Sequence, residues 1–261
     1  MVSKALLHIQ RDGFAVLEGI VPSDDCPRIR ESLLNTVEQY GGQFESPEQI
    51  GYIPSVVNLD QSFAAYLADD RLLRVVEGLL GPQVRISFTS ATINFPGNER
   101  LSWHADWPFN QNNGTYIPAP YPDQVIHLTT LWMLSPFSDE NGGTLIVPRS
   151  HLQRSNPTVH GRFVQPYSDE VQVNGSAGSV LVMDSRMWHA TAANLSVEPR
   201  VALAVRYAPW WLNLDVLRPG RQRDSVSSAD EESHNLVPSI DRAAFDTLPD
   251  KVQRLYAHWV V

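Results

Sequence analysis

The sequence is poor in cysteine, since Cys26 is the single one among 261 residues. One thiol excludes an intramolecular disulfide and is typical of a reducing compartment, so we expect a cytoplasmic protein. The first twenty residues also lack the unbroken apolar core of a secretory signal, because His8, Arg11 and Asp12 interrupt it. We therefore expect no export signal there.

Long apolar runs and basic blocks are missing as well. The longest apolar runs fall well short of the roughly 20 residues that a membrane helix needs. The formal net charge is -9, and no lysine or arginine cluster opposes it, which argues against a nucleic-acid backbone as partner. These absences leave a small-molecule substrate as the expected partner, with no nucleic acid and no membrane, and they leave the oligomeric state open.

What the chain does contain is a helical start followed by a β-rich middle. Residues 23–25, Ser-Asp-Asp, precede apolar positions at helical spacing, which predicts a helix over about 24–40. A second helical region is predicted over about 61–80 and ends at Gly81-Pro82. From about residue 84 the pattern becomes short strand-like runs: VRISFTSATINF, VIHLTTLWML, GTLIVP, SVLVMD and RVALAVRYA.

Strands without helical patterns between them favour an antiparallel sandwich or barrel. We expect one domain over 1–261, with a helical part at about 1–80, a β core at about 84–210, and a polar segment with a C-terminal helix at about 211–261. Residues 107–124, rich in Asn, Pro and Gly, are predicted to form a long loop beside the WHADW stretch, and the charged, polar segment 217–235 is predicted to be a mobile surface connection or a lid.

Trp103 to Trp107, WHADW, carries the first candidate site. Two residues apart on an extended chain, His104 and Asp106 point to the same side, about 6 to 7 Å apart along the strand. Such a triplet also occurs often without a metal, so a third residue is needed. His189, after a buried-looking strand, is the candidate, and two imidazoles with one carboxylate suit non-haem Fe(II) and dioxygen chemistry.

Arg200 lies eleven residues after His189, on the next strand-like run. A guanidinium that points into a β-barrel is unfavourable unless an anion meets it. A dicarboxylic acid cosubstrate is one such anion. The alternative is an ordinary surface arginine at the start of a strand.

The order of several segments resembles that of the phytanoyl-CoA dioxygenase family of Fe(II)/2-oxoglutarate-dependent oxygenases. The matching parts are RDGFAVLEGIVPSDDCPRIRESL, WHADWPF, NGGTLIVPRSH from Asn141 to His151, GSVLVMDSRMWHATAAN, and Arg200. Five matches in the family order are specific for the family, and they identify it far better than they identify the substrate.

The resemblance implies a mainly β fold, a double-stranded β-helix (jelly-roll) core braced by helices. It implies that His104, Asp106 and His189 bind Fe(II), and that Arg200 meets the distal carboxylate of 2-oxoglutarate. Thr191 stands where the family often has a small hydroxyl residue, and Asn94 is a candidate donor to the other carboxylate of the cosubstrate.

Two positions depart from the family pattern. Leu131 stands where a tryptophan is common, and Trp132 next to it is expected to face the other way on a strand. Arg149 replaces a glycine in the turn VPRSH, which leaves the ligands untouched and puts the local turn in question.

The implied reaction couples decarboxylation of 2-oxoglutarate, to succinate and CO₂, with O₂-dependent oxidation of a substrate. Because related halogenases have a small residue in place of the carboxylate ligand, Asp106 predicts hydroxylation or another oxidation, such as desaturation or ring closure. No basic cluster suits an acyl-CoA, so a small metabolite, a natural-product intermediate or amino-acid derivative, is expected. The loops 107–124 and 217–235 are expected to select it.

Three aromatic residues near the ligands, Trp103, Trp107 and Phe109, are candidates for the pocket wall, with core packing as the alternative. Two other functions stay open for the chain as a whole. One is a non-catalytic jelly-roll protein that binds a small ligand. The other is a cupin-type metal enzyme that does not use 2-oxoglutarate and has no need of Arg200.

Overall fold

The computed structural model describes residues 2–44, 50–107, 123–155, 157, 164–218 and 237–261. Its α-helices are α1 (Val2–Asp12), α2 (Cys26–Tyr40), α3 (Asp70–Leu80), α4 (Arg242–Asp246) and α5 (Asp250–Tyr256). Its strands are β1 (Phe14–Leu17), β2 (Ile50–Pro54), β3 (Arg85–Asn94), β4 (Leu128–Met133), β5 (Thr144–Ile146), β6 (Val171–Gln172), β7 (Val180–Asp184), β8 (His189–Thr191) and β9 (Arg200–Ala208).

The strands form two antiparallel sheets, a larger one in the order β1-β7-β4-β9-β3-β2 and a smaller one in the order β6-β5-β8. The two sheets share one apolar cluster, in which Met133 and Leu181 of the larger sheet meet Ile146 of the smaller sheet. This is the predicted double-stranded β-helix, and the space between its sheets is called the interior below.

The other face of the larger sheet is covered by helices. Side chains such as Leu203 and Val205 of β9 join Leu33 of α2 and Leu72 of α3 in the main core. Because successive strand residues point to opposite faces, Ala202 and the two arginines of β9 are left for the interior. The alternation along β9 therefore decides which side chains reach the site.

The helix predictions hold with small changes. The first predicted helix is α2, and the region 61–80 divides into a 3₁₀ turn at Ala64–Tyr66 and α3, because Asp69 caps α3 by accepting from the backbone N–H groups of Arg71 and Leu72. The five predicted strand runs correspond to β3, β4, β5, β7 and β9. The loop predictions 107–124 and 217–235 fall almost entirely outside the described residues, as does Phe109.

Four short strands, β1, β2, β6 and β8, are absent from the sequence prediction. Each has two to five residues and is defined by its pairing with a neighbouring strand, a contact that the local sequence does not show. Among the described helices, none is long and apolar enough to cross a membrane.

The turn that departs from the family pattern keeps a glycine-like backbone. Arg149 has φ 67°, in the left-handed region that favours glycine, and its N–H donates to the carbonyl of Asp12. Gly142, in the NGG turn, also has a positive φ, 78°, and a Cβ there would lie 2.3 Å from Nδ2 of Asn94. Both turns therefore pack tightly against the body of the fold.

Candidate metal centre and cosubstrate site

His104 and His189 face each other across a two-residue antiparallel bridge. The N–H of His104 donates to the carbonyl of His189 at 3.0 Å, and the N–H of His189 donates back at 2.9 Å. Their ring centroids are 4.2 Å apart. One ligand atom from each of His104, Asp106 and His189 lies within 4.8 Å of the others, so the fold brings the three predicted ligands together.

Backbone carbonyls fix the orientation of both imidazole rings. Nδ1 of His104 lies 3.1 Å from the carbonyl of Ser102, and Nδ1 of His189 lies 3.0 Å from that of Met187. Burial, and then the neighbouring His104, lower the pKa of His189 to about 4, so its ring is neutral at pH 7. A neutral ring that donates through Nδ1 presents the Nε2 lone pair, which is what a metal ligand requires.

The carboxylate of Asp106 is buried and held from two sides. Oδ1 accepts from Nη2 of Arg206 at 2.5 Å, and Oδ2 accepts from the hydroxyl of Thr129 at 2.6 Å. Burial alone would raise the pKa of Asp106, but the positive charge of Arg206 and the two imidazoles together hold it well below its ordinary value. The carboxylate is therefore ionised and available to a cation.

Arg206 is a site residue that the sequence reasoning missed. The repeat R-V-A-L-A-V-R from Arg200 to Arg206 was the available signal, because residues at even spacing on a strand share a face. The guanidinium of Arg206 also lies 4.4 Å from the ring centroid of Phe88, its partner across β3 and β9. Burial raises the pKa of nearby Tyr52 to about 12, so that its phenol stays protonated.

Among the described residues, no carboxylate pairs with Arg200 in this way. Its side chain is buried, its Nε has no hydrogen-bond partner among the described residues, and its guanidinium carbon lies 4.6 Å from the ring centroid of Phe137. Burial lowers the pKa of Arg200 to about 10, and the guanidinium still carries its charge at pH 7. An unmatched buried cation of this kind is favourable only if an anion joins it.

Asn94 and Thr191 are the two further residues predicted to bind the cosubstrate, and they lie on strands beside Arg200 and His189. Asn94 lies directly opposite Arg200 across β3 and β9, but its amide already donates to the carbonyl of Ala192 and accepts from Asn98. One Nδ2 hydrogen is left for a ligand. Thr191 follows His189 on β8 and pairs with Thr144, on the same face as His189.

The aromatic candidates have different surroundings. Trp103 is fully buried in a cluster with Trp188 and Tyr167 on the outer side of the smaller sheet, so it is a core residue. Trp107 stacks near His127, with ring centroids 6.4 Å apart. Trp132 packs in the main core and donates to Thr130, while Leu131 contacts the interior cluster, so the tryptophan faces away from the interior.

The donor set fits a divalent first-row transition ion. Two imidazole nitrogens and one carboxylate on one side of an ion leave its remaining positions open, as non-haem Fe(II) oxygenases require. The three residues are thus the donor set that the sequence predicted for Fe(II), and Arg200, eleven residues after the second histidine, is buried in the same β-helix with no described carboxylate as its partner.

Comparison with known proteins gives the family. The chain belongs to the phytanoyl-CoA dioxygenase (PhyH) family, whose model matches residues 9–202. Dioxygenase af480 of Aspergillus fumigatus is 29% identical over 159 residues, which are 61% of this chain and 47% of that protein, so the match spans about half of that relative. Ectoine dioxygenase of Nocardia farcinica is 24% identical, over 76% of this chain and 74% of its own.

Solved structures share the fold. The epimerase SnoN, in complex with Fe³⁺, alpha-ketoglutarate and nogalamycin RO, superposes with a TM-score of 0.63 at 17% identity and covers 85% of this chain and 92% of its own. HygX of Streptomyces hygroscopicus, with nickel and 2-oxoglutarate bound, gives a TM-score of 0.63 at 19% identity and covers 80% and 88%.

Proposed function

We propose that this protein is an Fe(II)- and 2-oxoglutarate-dependent dioxygenase that hydroxylates, or otherwise oxidises, a small metabolite. His104, Asp106 and His189 would hold the iron, and Arg200 would bind the distal carboxylate of 2-oxoglutarate. The observation that carries the proposal is the pairing of these two features, since a His-Asp-His set and a buried cation with no described carboxylate beside it occur in one β-helix.

Each residue has a defined task in this proposal. The Nε2 atoms of His104 and His189 and the carboxylate of Asp106 bind the metal, because the Nδ1 atoms are already tied to carbonyls. The guanidinium of Arg200 holds the distal carboxylate, and the free Nδ2 hydrogen of Asn94 and the hydroxyl of Thr191 are further candidates for the cosubstrate. Bound iron, with 2-oxoglutarate and O₂, would supply the oxidising chemistry: one oxygen atom of O₂ ends in succinate as CO₂ is released, and the other serves to oxidise the substrate.

The substrate class follows from what the site lacks and from its relatives. The sequence has no basic cluster for an acyl-CoA, and the carboxylate ligand Asp106 favours oxygenation or a related oxidation. Solved relatives include a carbocyclase from nogalamycin biosynthesis and a HygX complex with hygromycin B. These names support a natural-product intermediate, and the carbocyclase supports outcomes other than hydroxylation; an amino-acid derivative remains the alternative substrate class. A cytoplasmic location remains our expectation from the single, buried Cys26.

The first experiment is anaerobic absorption spectroscopy of the purified metal-free protein. Fe(II) is added first and 2-oxoglutarate second, and the charge-transfer band of the chelated cosubstrate is recorded. We expect the band in the wild type, its loss in His104→Ala because a ligand is gone, and its loss in Arg200→Ala with Fe(II) binding intact.

Other outcomes would point to the alternatives. Iron binding without the band in the wild type would support a cupin-type enzyme, and absence of iron binding would support a non-catalytic ligand-binding protein. A band of full intensity in Arg200→Ala, at subsaturating 2-oxoglutarate, would contradict the role assigned to Arg200.

A further inference from the structure

A row of buried polar side chains leads from β3 to the carboxylate of Asp106. Oγ of Ser87 lies 2.9 Å from Nε2 of His127, and Nδ1 of His127 lies 2.7 Å from Oγ of Ser185. Oγ of Ser185 lies 2.8 Å from Oγ1 of Thr129, which lies 2.6 Å from Oδ2 of Asp106. The four residues before Asp106 are each at most 4% exposed, so water does not compete for these bonds.

Counting hydrogens gives the chain a single direction. The ionised carboxylate of Asp106 has no hydrogen, so the hydroxyl of Thr129 must donate to it. Thr129 has then used its one hydrogen, so Ser185 must donate to Thr129. By the same count Nδ1–H of His127 must donate to Ser185, which leaves Nε2 to accept from Ser87 at 2.9 Å, a shorter contact than the 3.3 Å from the same hydroxyl to the carbonyl of Arg206.

The reverse assignment fails at a specific contact. If Nε2 of His127 carried the hydrogen, Ser185 would have to donate to Nδ1. The lone pairs of Ser185 and Thr129 would then face each other at 2.8 Å inside the protein, where an unmade hydrogen bond is unfavourable. The direction depends on a neutral ring, and burial and then Arg206 lower the pKa of His127 to about 3.

Two members of the hydrogen-bond chain, His127 and Ser185, also contact the segment that carries Asp106. Trp107, which follows the ligand Asp106 by one residue, stacks its ring near that of His127 at an angle of 28°. The backbone N–H groups of Asp106 and Trp107 both donate to the carbonyl of Ser185. His127 and Ser185 therefore contact the ligand segment through side chain and backbone alike.

We propose that Thr129, Ser185 and His127 are positioning residues, whose one-directional hydrogen-bond chain orients the Asp106 carboxylate for the metal and holds His127 as its Nδ1–H tautomer. This inference deepens the proposed function and rests on it, because it takes Asp106 to be a metal ligand. Successive donors polarise one another, so the bond that reaches Oδ2 is stronger than an isolated hydroxyl contact. Arg206 holds Oδ1, and together they leave the carboxylate one orientation.

Neighbouring residues of β4 provide a matched test. Thr129→Val removes the hydroxyl that meets Asp106, whereas Thr130→Val removes an equally buried hydroxyl that donates to the carbonyl of Val205 on the other face. Binding of Co(II) alone to the metal-free protein is titrated anaerobically by visible absorption. We expect about 10- to 100-fold weaker binding in Thr129→Val and less than about twofold change in Thr130→Val.

Thr129→Ser keeps a hydroxyl at the same position and is expected to restore the affinity. Thermal unfolding of the metal-free variants verifies that each is folded. Equal Co(II) affinity in Thr129→Val and Thr130→Val would overturn the positioning role, and so would a failure of Thr129→Ser to bind better than Thr129→Val.

The tautomer is measured separately, by two-bond ¹H–¹⁵N correlation NMR of histidine-labelled, metal-free protein. The ring signals of His127 are assigned by their loss in His127→Gln. We expect a neutral ring with a protonated Nδ1, and a protonated Nε2 would overturn the chain. If the wild type binds no Co(II), the proposed metal function fails, whereas the tautomer still tests the chain by itself.

Discussion

Strand β9 places two arginines on the same face, six residues and about 20 Å apart along the strand. Arg206 has a carboxylate at 2.5 Å, supplied by Asp106, and an aromatic ring beneath it. Arg200 also lies over a ring, but no described carboxylate pairs with it. A cation with an internal partner, such as Arg206, is part of the fold, whereas a buried cation that pairs with no described carboxylate, such as Arg200, indicates a ligand. The local environment thus distinguishes two chemically identical side chains.

The largest effect is expected when the paired arginine is removed. Arg206→Met leaves the buried Asp106 carboxylate without its cation, and this should lower the free energy of unfolding of the metal-free protein by about 3 kcal/mol. Urea unfolding measures it. Saturating Co(II) should reduce the deficit, because a metal cation replaces the lost charge, and a deficit below about 1 kcal/mol would mean that Asp106 does not depend on Arg206.

A double-mutant cycle sharpens the contrast. Asp106→Asn combined with Arg206→Met should show a coupling free energy of about 2 kcal/mol, since the two groups are in contact. The same carboxylate change combined with Arg200→Met should show less than about 0.5 kcal/mol, because the two side chains share no hydrogen-bond or ion-pair partner among the described residues. Similar couplings in both cycles would erase the distinction between the arginines.

The smallest effect is expected at the unpaired arginine and has the opposite sign. Arg200→Met removes an unmatched buried charge, so the metal-free protein should become more stable by about 1 kcal/mol. The wild type with metal should gain thermal stability on addition of 2-oxoglutarate, by mass action, and the variant should not. A variant that is strongly destabilised and still responds to 2-oxoglutarate would assign the structural role to Arg200 instead.

The sequence predicts the features that depend on local spacing. The His-x-Asp triplet puts His104 and Asp106 on one side of an extended segment, and the β-helix brings His189 to them. The sequence also predicts the long strands, such as β3 and β4, because their strand-like residue pattern extends over six to ten residues. The roles of His104, Asp106, His189, Arg200, Thr191 and Asn94 toward iron and cosubstrate stay predictions until the binding experiments are done.

The remaining features depend on pairing between distant segments. Arg206 reaches Asp106 only because β9 stands in its particular register with β3 and β4, and no local pattern encodes that register. Strand β8 has three residues, His-Ala-Thr, and it forms because β5 pairs with it. The amide of Asn94 is engaged by Ala192 and Asn98, a contact across the NGG turn that spacing alone does not reveal.

Because the three proposed ligands are unevenly buried, one side of the candidate metal centre faces solvent and the other side lies within the protein. The side chain of His104 is 50% exposed, whereas those of Asp106 and His189 are 2% and 7% exposed. An arriving ion would exchange its first water for the outer imidazole and its later waters for the inner pair. The rates of metal capture and of removal by a chelator should therefore depend most strongly on the bond to His104.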